Sequence, residues 1–302
     1  MTVAITGATG FVGQAVLEQA AAQGIAIRAL VRTPQPPRAG VEWIAGDLDD
    51  TAALARLVDR AEAVINIAGV VNAPDAEGFA AGNVVGTLNL VTAAMVAGTP
   101  RLVHVSSLSA REPQLSQYGA SKLKGERIAM ASTLDWTVVR PPAVYGPRDR
   151  EMLELFRFAK AGIVPLPPHG KMAAIHVDDL ARLLLALVPG GEDVSQKLFE
   201  PDDGHAGGWT HKSFAKAIGW AVGKRITPLP LPAFALRAAA RGDRMLRKAA
   251  AKLTEDRVGY MCHPDWTVRE ELRPPVGRWQ PEIGTRDGLK ATAKWYREAG
   301  WL

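Results

Sequence analysis

Near its start the chain runs VAITGATGFVGQAVLEQAAAQ over residues 3–23: an apolar run, three spaced glycines, then an amphipathic stretch. Few features restrict a fold as strongly. Glycines at 7, 10 and 13 allow a tight turn after a strand, close backbone approach to a ligand, and close packing of the following helix on that strand. The free N–H groups and dipole of that helix favour a phosphate charge. A glycine pattern alone is a weak signal, but here it lies between a strand and a helix at the head of an alternating chain. Gly7, Thr9, Gly10, Phe11 and Val12 are therefore expected around the pyrophosphate of a dinucleotide.

Strand-like runs at 3–6, 25–31, 41–45, 63–68, 102–107 and 136–140 alternate with helical stretches at 12–22, 51–59, 79–96 and 121–131. Alternation of this kind predicts an α/β fold, a doubly wound, Rossmann-like parallel sheet with helices on both faces. The uniformly apolar strands fit burial on both sides. Beyond residue 150 the pattern changes. Proline-rich pieces at 165–170, 227–232 and 273–275 and an acidic, glycine-rich loop at 200–208 break it up. We expect a nucleotide-binding domain over 1–150, with 171–190 returning to it as one more strand and helix, and a smaller, mostly helical C-terminal substrate lobe over 151–170 and 191–302.

A net charge of +5 over 302 residues is too small an excess to imply nucleic-acid binding, and no Lys/Arg run is interleaved with stacking aromatics. The one cysteine, Cys262, excludes an internal disulfide framework and any Cys-rich metal site. The six histidines are scattered, so no metal is expected, and Cys262 and His263 read as structural. With no signal-like N-terminus and no apolar run near bilayer length, the expected location is cytoplasmic.

At the end of the second strand, where an NAD site carries an acidic residue, this chain has Arg32, with Arg28 four positions before it. A cation there suits a 2′-phosphate, so NADP(H) is favoured over NAD(H); the other reading is a solvated strand-end arginine. In GDLDD (46–50), Asp47 could bond the adenine amino group and Leu48 could lie against the ring, while Asp49 or Asp50 could be plain helix caps.

In SQYGASKLKGE (116–126), Tyr118 and Lys122 are one helical turn apart. HVSSLSA (104–110) ends a strand, so Ser106 and Ser107 lie at the sheet edge where ligands bind. A phenol with an ordinary pKa of about 10 becomes more acidic beside an ammonium. Tyr118 could then exchange a proton with a substrate oxygen that a serine orients, and Lys122 could also meet the nicotinamide ribose. Either serine could act. The alternative is that both Tyr118 and Lys122 are ordinary helix surface.

Taken in order, TGATGFVG (6–13), GDL (46–48), NIAG (66–69), Asn83 in GNVVGTLNL, VSS (105–107), YGASK (118–122), RPPAVYGPRD (140–149) and IHVDDLAR (175–182) resemble the short-chain dehydrogenase/reductase family, in its extended and atypical branch. The C-terminal third matches only loosely. The resemblance implies a catalytic set of Ser107, Tyr118 and Lys122, with Asn83 supporting the lysine through water and Ser106 as the alternative serine. It also implies that Ala68 and Gly69 line the cofactor and that Pro141, Ala143 and Val144 approach the nicotinamide carboxamide. The branch holds nucleotide-sugar epimerases and dehydratases, ketone reductases for steroids, flavonoids and lipids, reductases of 3-oxo-sphingolipids or oxidised ceramides, and an accessory subunit of respiratory complex I. Members pair through two long helices, here 79–97 and 119–131, or stay monomeric, so a monomer or homodimer is implied.

The segment LPAFALRAAARGDRMLRKAAAKL (231–253) bears on the substrate. Arg237, Arg241, Arg244, Lys248 and Lys252 recur every three or four residues, with Phe234, Leu236, Leu246 and Leu253 expected on another face. This is a candidate basic amphipathic helix, suited to a membrane surface or lipid entry, unless Gly242-Asp243 breaks it. The alternative is a surface helix with solvated arginines. The four tail tryptophans (266, 279, 295 and 301) read as lobe core. The function expected is an NADPH-dependent ketoreductase for an apolar or lipidic ketone, with Tyr118 as proton donor. The alternatives are a nucleotide-sugar epimerase or dehydratase and a non-catalytic NADP(H)-binding assembly module.

Overall fold

The computed structural model describes residues 1–248, 251 and 253–302. The first elements are β1 (Thr2–Thr6), α1 (Phe11–Ala22), β2 (Ala26–Val31), β3 (Val41–Ala45), α2 (Thr51–Val58), β4 (Ala63–Asn66), α3 (Ala76–Ala80), α4 (Gly86–Val96), β5 (Arg101–Val105), α5 (Gln117–Ala131) and β6 (Asp135–Val139). Then follow β7 (Ala143–Tyr145), α6 (Leu153–Ala161), β8 (Ile163–Leu166), β9 (Lys171–Met172), β10 (Ala174–His176), α7 (Val177–Ala186) and β11 (Lys197–Phe199). The last are β12 (Trp209–Thr210), α8 (His211–Val222), β13 (Thr227–Pro230), α9 (Ala233–Arg247), α10 (Glu255–Met261), β14 (Asp265–Trp266) and α11 (Thr285–Glu298).

Two compact units divide the chain: Met1–Pro141 with Leu180–Pro201 and Glu271–Gln280, and Pro142–Asp179 with Asp202–Glu270 and Pro281–Leu302. In the first unit seven parallel strands form one sheet in the order β11-β6-β5-β4-β1-β2-β3. Ile5 on β1 stands opposite Ala29 of β2 and Ile65 of β4. Val3, Ile5, Val64, Ile65, Leu102 and Val103 are fully buried, as strands covered on both faces require. Leu54 and Leu57 of α2 and Leu90 and Val91 of α4 pack in one cluster with Val64 and Leu102. Strand order reverses between β1 and β4, which opens a crevice at the C-terminal strand ends.

Pattern and structure differ in instructive places. α5 starts four residues before the expected 121, because the Ser116 hydroxyl accepts from the Gly119 N–H at 2.9 Å and so caps the helix. The helix expected over 79–96 is interrupted by a π turn, Ala81–Val85. By length and composition, Ala76–Val96 is also apolar enough to cross a membrane, contrary to the sequence reading; Leu90, Val91 and Ala94 of this stretch lie in the sheet core.

The expected domain division also shifts. Residues 142–150 and 171–179 fall in the second unit, where β10 pairs with β7 instead of extending the large sheet. The seventh sheet strand is β11, from the region assigned to the lobe; three residues at a sheet edge carry no readable alternation. The second unit is less helical than expected. Its described residues form three small sheets, β10-β7, β12-β9-β14 and β13-β8, with strands of two to four residues, too short to leave a pattern. Its core gathers Tyr145, Phe156, Trp209, Phe214, Leu289 and Tyr296, with Trp295 and Trp301 packed against it. Trp279 is buried in the first unit.

Candidate active site

The glycine loop after β1 has the shape its sequence implies. Gly7 has φ +74°, and a Cβ there would stand 2.7 Å from the Ala68 nitrogen. A Cβ on Gly13 would fall 2.1 Å from the Gly7 carbonyl oxygen, so no side chain fits. α1 begins at Phe11 with Gly10 at its cap, no side-chain hydrogen bond there and no acid in its first turn. Its N-terminal N–H groups and dipole are thus left for an anion, and the loop fits a dinucleotide pyrophosphate. Thr9 is exposed; Phe11 and Val12 are half-buried. Thr6 Oγ1 donates to Asn66 Oδ1 at 2.7 Å and accepts from the Ala68 N–H at 3.2 Å, fixing the exit of β4 where Ala68 and Gly69 lie.

At the C-terminal end of β2, Arg32 is exposed. Arg28 is not its companion. It forms an ion pair with Glu42 at 2.8 Å and donates to the carbonyls of Arg56, Leu57 and Asp59 at 3.2, 3.3 and 2.5 Å, clamping the C-terminal end of α2. A different cation, Arg38, donates to Gln14 Oε1 on α1 at 3.2 Å. The sequence reading did not single it out, because it lies in a proline-rich loop without strand or helix spacing. Asp47 Oδ1 accepts from the N–H groups of Asp49 and Asp50 at 2.9 and 3.1 Å, and Asp50 caps α2 through Ala53 at 2.9 Å. Leu48 is half-buried and lies so close to Gly86 that a Cβ there would stand 2.5 Å from its Cδ1.

Tyr118 sits in the first turn of α5, half-buried, its ring 6.0 Å from that of Phe79. One turn on, Lys122 is 5% exposed and its Nζ donates to the Val105 carbonyl at the end of β5 at 2.8 Å. Burial lowers its pKa to about 8, although the Glu126 carboxylate works the other way. Asn83, in the π turn, binds both backbone groups of Val70 (N–H at 2.8 Å, carbonyl at 2.9 Å) and donates to Ser121 Oγ at 2.9 Å. Ser121 in turn donates to the Tyr118 carbonyl at 2.7 Å. One amide therefore ties the loop after β4 to the first turn of α5. A π turn is a common device for re-aiming a residue in this way.

The two serines have separate partners. Ser106 is buried and donates to Glu126 Oε1 at 2.5 Å. Glu126, 1% exposed, is gripped by the guanidinium of Arg140 through Nε at 2.8 Å and Nη2 at 2.7 Å. Arg140 Nη1 and Arg111 Nη1 each lie 3.5 Å from the buried Glu200. Burial pushes the Arg140 pKa down, but the Glu126 and Glu200 carboxylates outweigh it and the value is raised. Ser107 is half-buried and its Oγ accepts from both the N–H and the hydroxyl of Ser109, at 3.2 and 2.9 Å. Two short 3-10 turns, Leu108–Arg111 and Pro113–Leu115, carry the chain from there to α5.

Sequence reasoning missed this carboxylate–guanidinium network. The one available signal was Glu126 four residues after Lys122, which reads equally well as a surface pair. His104, also missed, lies buried with Nδ1 3.1 Å from Asn66 Nδ2; burial, helped by the Lys122 charge, lowers its pKa to about 3 and keeps it neutral. Pro141 belongs to the first unit, where its carbonyl accepts from the Leu108 N–H at 2.9 Å, while Ala143 and Val144 lie on β7 of the second. Among the described residues no cluster of His, Cys, Asp and Glu could hold a metal.

The chain matches the model of the NAD dependent epimerase/dehydratase family over residues 3–197. It is 37% identical to a ceramide reductase of Caulobacter vibrioides, over 99% of this chain and 96% of that protein. It is 26% identical to a 2-alkyl-3-oxoalkanoate reductase of Stenotrophomonas maltophilia, over 93% and 88% of the two chains. Among solved structures, MoeE5 in complex with UDP-glucuronic acid and NAD shares the fold with a TM-score of 0.75, at 21% identity and 99% coverage of both chains. The chain belongs to the NAD-dependent epimerase/dehydratase family and is an NAD(P)-dependent oxidoreductase.

Proposed function

We propose that the chain is an NADPH-dependent ketoreductase acting on an apolar or lipidic ketone, such as a 3-oxo-sphingolipid or an oxidised ceramide. The observation that carries this reading is the Lys122 ammonium, buried at the end of β5 and one helical turn from Tyr118. The cofactor, when bound, supplies hydride to the carbonyl carbon of the substrate. Tyr118 Oη gives its proton to the carbonyl oxygen, and the Lys122 charge stabilises the phenolate left behind. Ser107, which accepts twice from Ser109, keeps its own proton to orient that oxygen. Ser106 is committed to Glu126, which favours Ser107 as the acting serine. Asn83 holds α5 in register. The glycine loop would hold the pyrophosphate, Asp47 and Leu48 the adenine, and Ala68 and Gly69 the nicotinamide half, with Pro141 toward the carboxamide. Arg32 and Arg38 would hold a 2′-phosphate. The likeness to a ceramide reductase over nearly the whole chain supports a lipid ketone. The reading carries a cytoplasmic enzyme that meets its substrate at a membrane surface through residues 231–253, as a monomer or as a homodimer paired through α4 and α5.

The test is NADPH oxidation with a 3-oxo-ceramide, compared with NADH. Tyr118→Phe should lower kcat by about 10²–10⁴-fold while leaving cofactor affinity unchanged. Arg32→Ala should weaken NADPH about tenfold and leave NADH untouched, as expected for one charge-assisted contact to a phosphate. Cofactor binding without turnover of any ketone would instead mark a binding module. A nucleotide-sugar epimerase would interconvert its substrate with no net NADPH loss.

A further inference from the structure

We propose that the outward face of α9 docks on an anionic lipid surface. Gly242-Asp243 does not break this helix, which runs unbroken over Ala233–Arg247. Asp243 Oδ2 instead accepts from the Leu253 N–H at 2.9 Å. Lys252 lies outside the described residues. The apolar side chains do not share one face, as the sequence pattern had suggested. Leu236 and Ala240 point inward, onto Val258 of α10, with Leu231, Leu253 and Cys262 beside them. Phe234 points outward and is 75% exposed, and Met245 and Leu246 at the far end are 82% and 87% exposed.

Positions 234, 238, 241 and 245 follow i, i+4, i+7 and i+11, so Phe234, Ala238, Arg241 and Met245 form one outward stripe. Arg237, Arg241 and Arg244 are exposed on or beside it, and Arg247 and Lys248 are exposed at the end of the helix. The acids nearby are fewer. Asp243 pairs with Arg247 at 3.3 Å and Glu255 with Arg241 at 2.7 Å. The hydrogen bond and charge of Arg241, with the charges of Arg237 and Arg244, hold Glu255 below its ordinary pKa, as a positive local field requires. Arg237, Arg244 and Lys248 have no ion pair among the described residues.

An ordinary surface helix turns its large apolar residues inward. Here Leu236 and small Ala240 lie beneath, while Phe234, Met245 and Leu246 stand out among cations. Isolated apolar tips interleaved with arginines, whose aliphatic stems can lie along a greasy boundary while their heads stay wet, match the junction of anionic headgroups and acyl chains. This deepens the lipid reading of the substrate, but its test uses neither substrate nor turnover, so either can fail without the other.

The test is co-sedimentation of the full chain with vesicles of mixed phosphatidylglycerol and phosphatidylcholine, of phosphatidylcholine alone, and of the mixture at high salt. The charged vesicles should bind the protein, and neutral vesicles or high salt should release it. Phe234→Ser with Met245→Ser and Leu246→Ser should weaken binding by about tenfold or more. Arg237→Gln with Arg244→Gln should weaken it by roughly fivefold per cation removed. All five residues are exposed, so circular dichroism and NADPH binding should not change. Equal binding to neutral vesicles, no binding to charged ones, or unaltered binding by the triple variant would overturn the proposal. So would self-association, seen by light scattering without lipid, that the triple variant abolishes, because that would assign the face to a second copy of the chain.

Discussion

α5 and α9 are each 15 residues long and each carries several charges, yet they treat those charges in opposite ways. α5 buries Lys122 and Glu126 and leaves almost no apolar stripe to read. α9 buries two small or aliphatic side chains and turns its cations outward beside Phe234 and Met245. On sequence pattern alone α9 is the more distinctive helix and α5 the plainer one. The structure reverses that order of information. In α5 each buried charge is held by a named group: Lys122 by a strand-end carbonyl, and Glu126 by a serine and a forked guanidinium. Such an arrangement fixes atoms and suits chemistry. In α9 the arginines stay exposed to water, with Arg241 and Arg247 in surface ion pairs, and suit a surface.

The sharpest way to break the contrast is to remove the anion at the centre of the α5 network. Glu126→Ala leaves Arg140 buried with one distant carboxylate and deprives Ser106 of its acceptor. Stranding one member of a buried pair costs about 3–5 kcal/mol, so the denaturant midpoint should fall steeply. A loss below about 1 kcal/mol would mean that water reaches the pair and that α5 is no more committed than a surface helix.

The parallel sheet was legible because its strands are long, apolar and separated by periodic helices, and the glycine loop because no side chain fits at Gly7 or Gly13. Tyr118, Lys122 and Asn83 were legible as motif residues, and the structure brings Lys122 and Asn83 against Gly69, whose Cβ would stand 3.4 and 3.1 Å from them. What was not legible depends on pairings across the sheet. Glu126, Arg140, Glu200 and Arg111 come from four separate stretches and have no common spacing. Arg28 was legible only as a cation four positions before Arg32, because register, not spacing, carries it onto α2. Apart from β10, which falls in the stretch 171–190 read as a strand and helix, the strands of the second unit were missed because two to four residues cannot show a period.

Lys122 offers a subtler test of the same contrast. Its folded-state pKa, about 8, lies below the ordinary 10.5. Between those values the unfolded chain binds more protons than the folded one, so this group makes stability rise with pH across that window. Below about pH 8 both states hold the proton and the burial penalty is felt in full. Lys122→Met removes the titration. Any stability advantage of the variant over wild type should therefore be greatest near neutrality and shrink toward pH 10.5, read as urea midpoints. Parallel pH profiles for the two proteins would mean that Lys122 is solvated in solution.

The smallest effect is expected from the pair that looks most like the α5 clamp on paper. Arg241 and Glu255 approach to 2.7 Å, the same separation as Arg140 and Glu126. The difference lies in the water around them: the side chains of the first pair are 72% and 56% exposed, those of the second 12% and 1%. In the exposed pair, solvent screening and the entropy of two long side chains cancel most of the attraction. Arg241→Gln should therefore leave the melting temperature within about 1 °C of wild type, at low and high salt alike. A larger shift would show that α9 leans on its ion pair to stay folded. Its outward arginines would then be structural, and the charges offered to a lipid surface would reduce to Arg237, Arg244, Arg247 and Lys248.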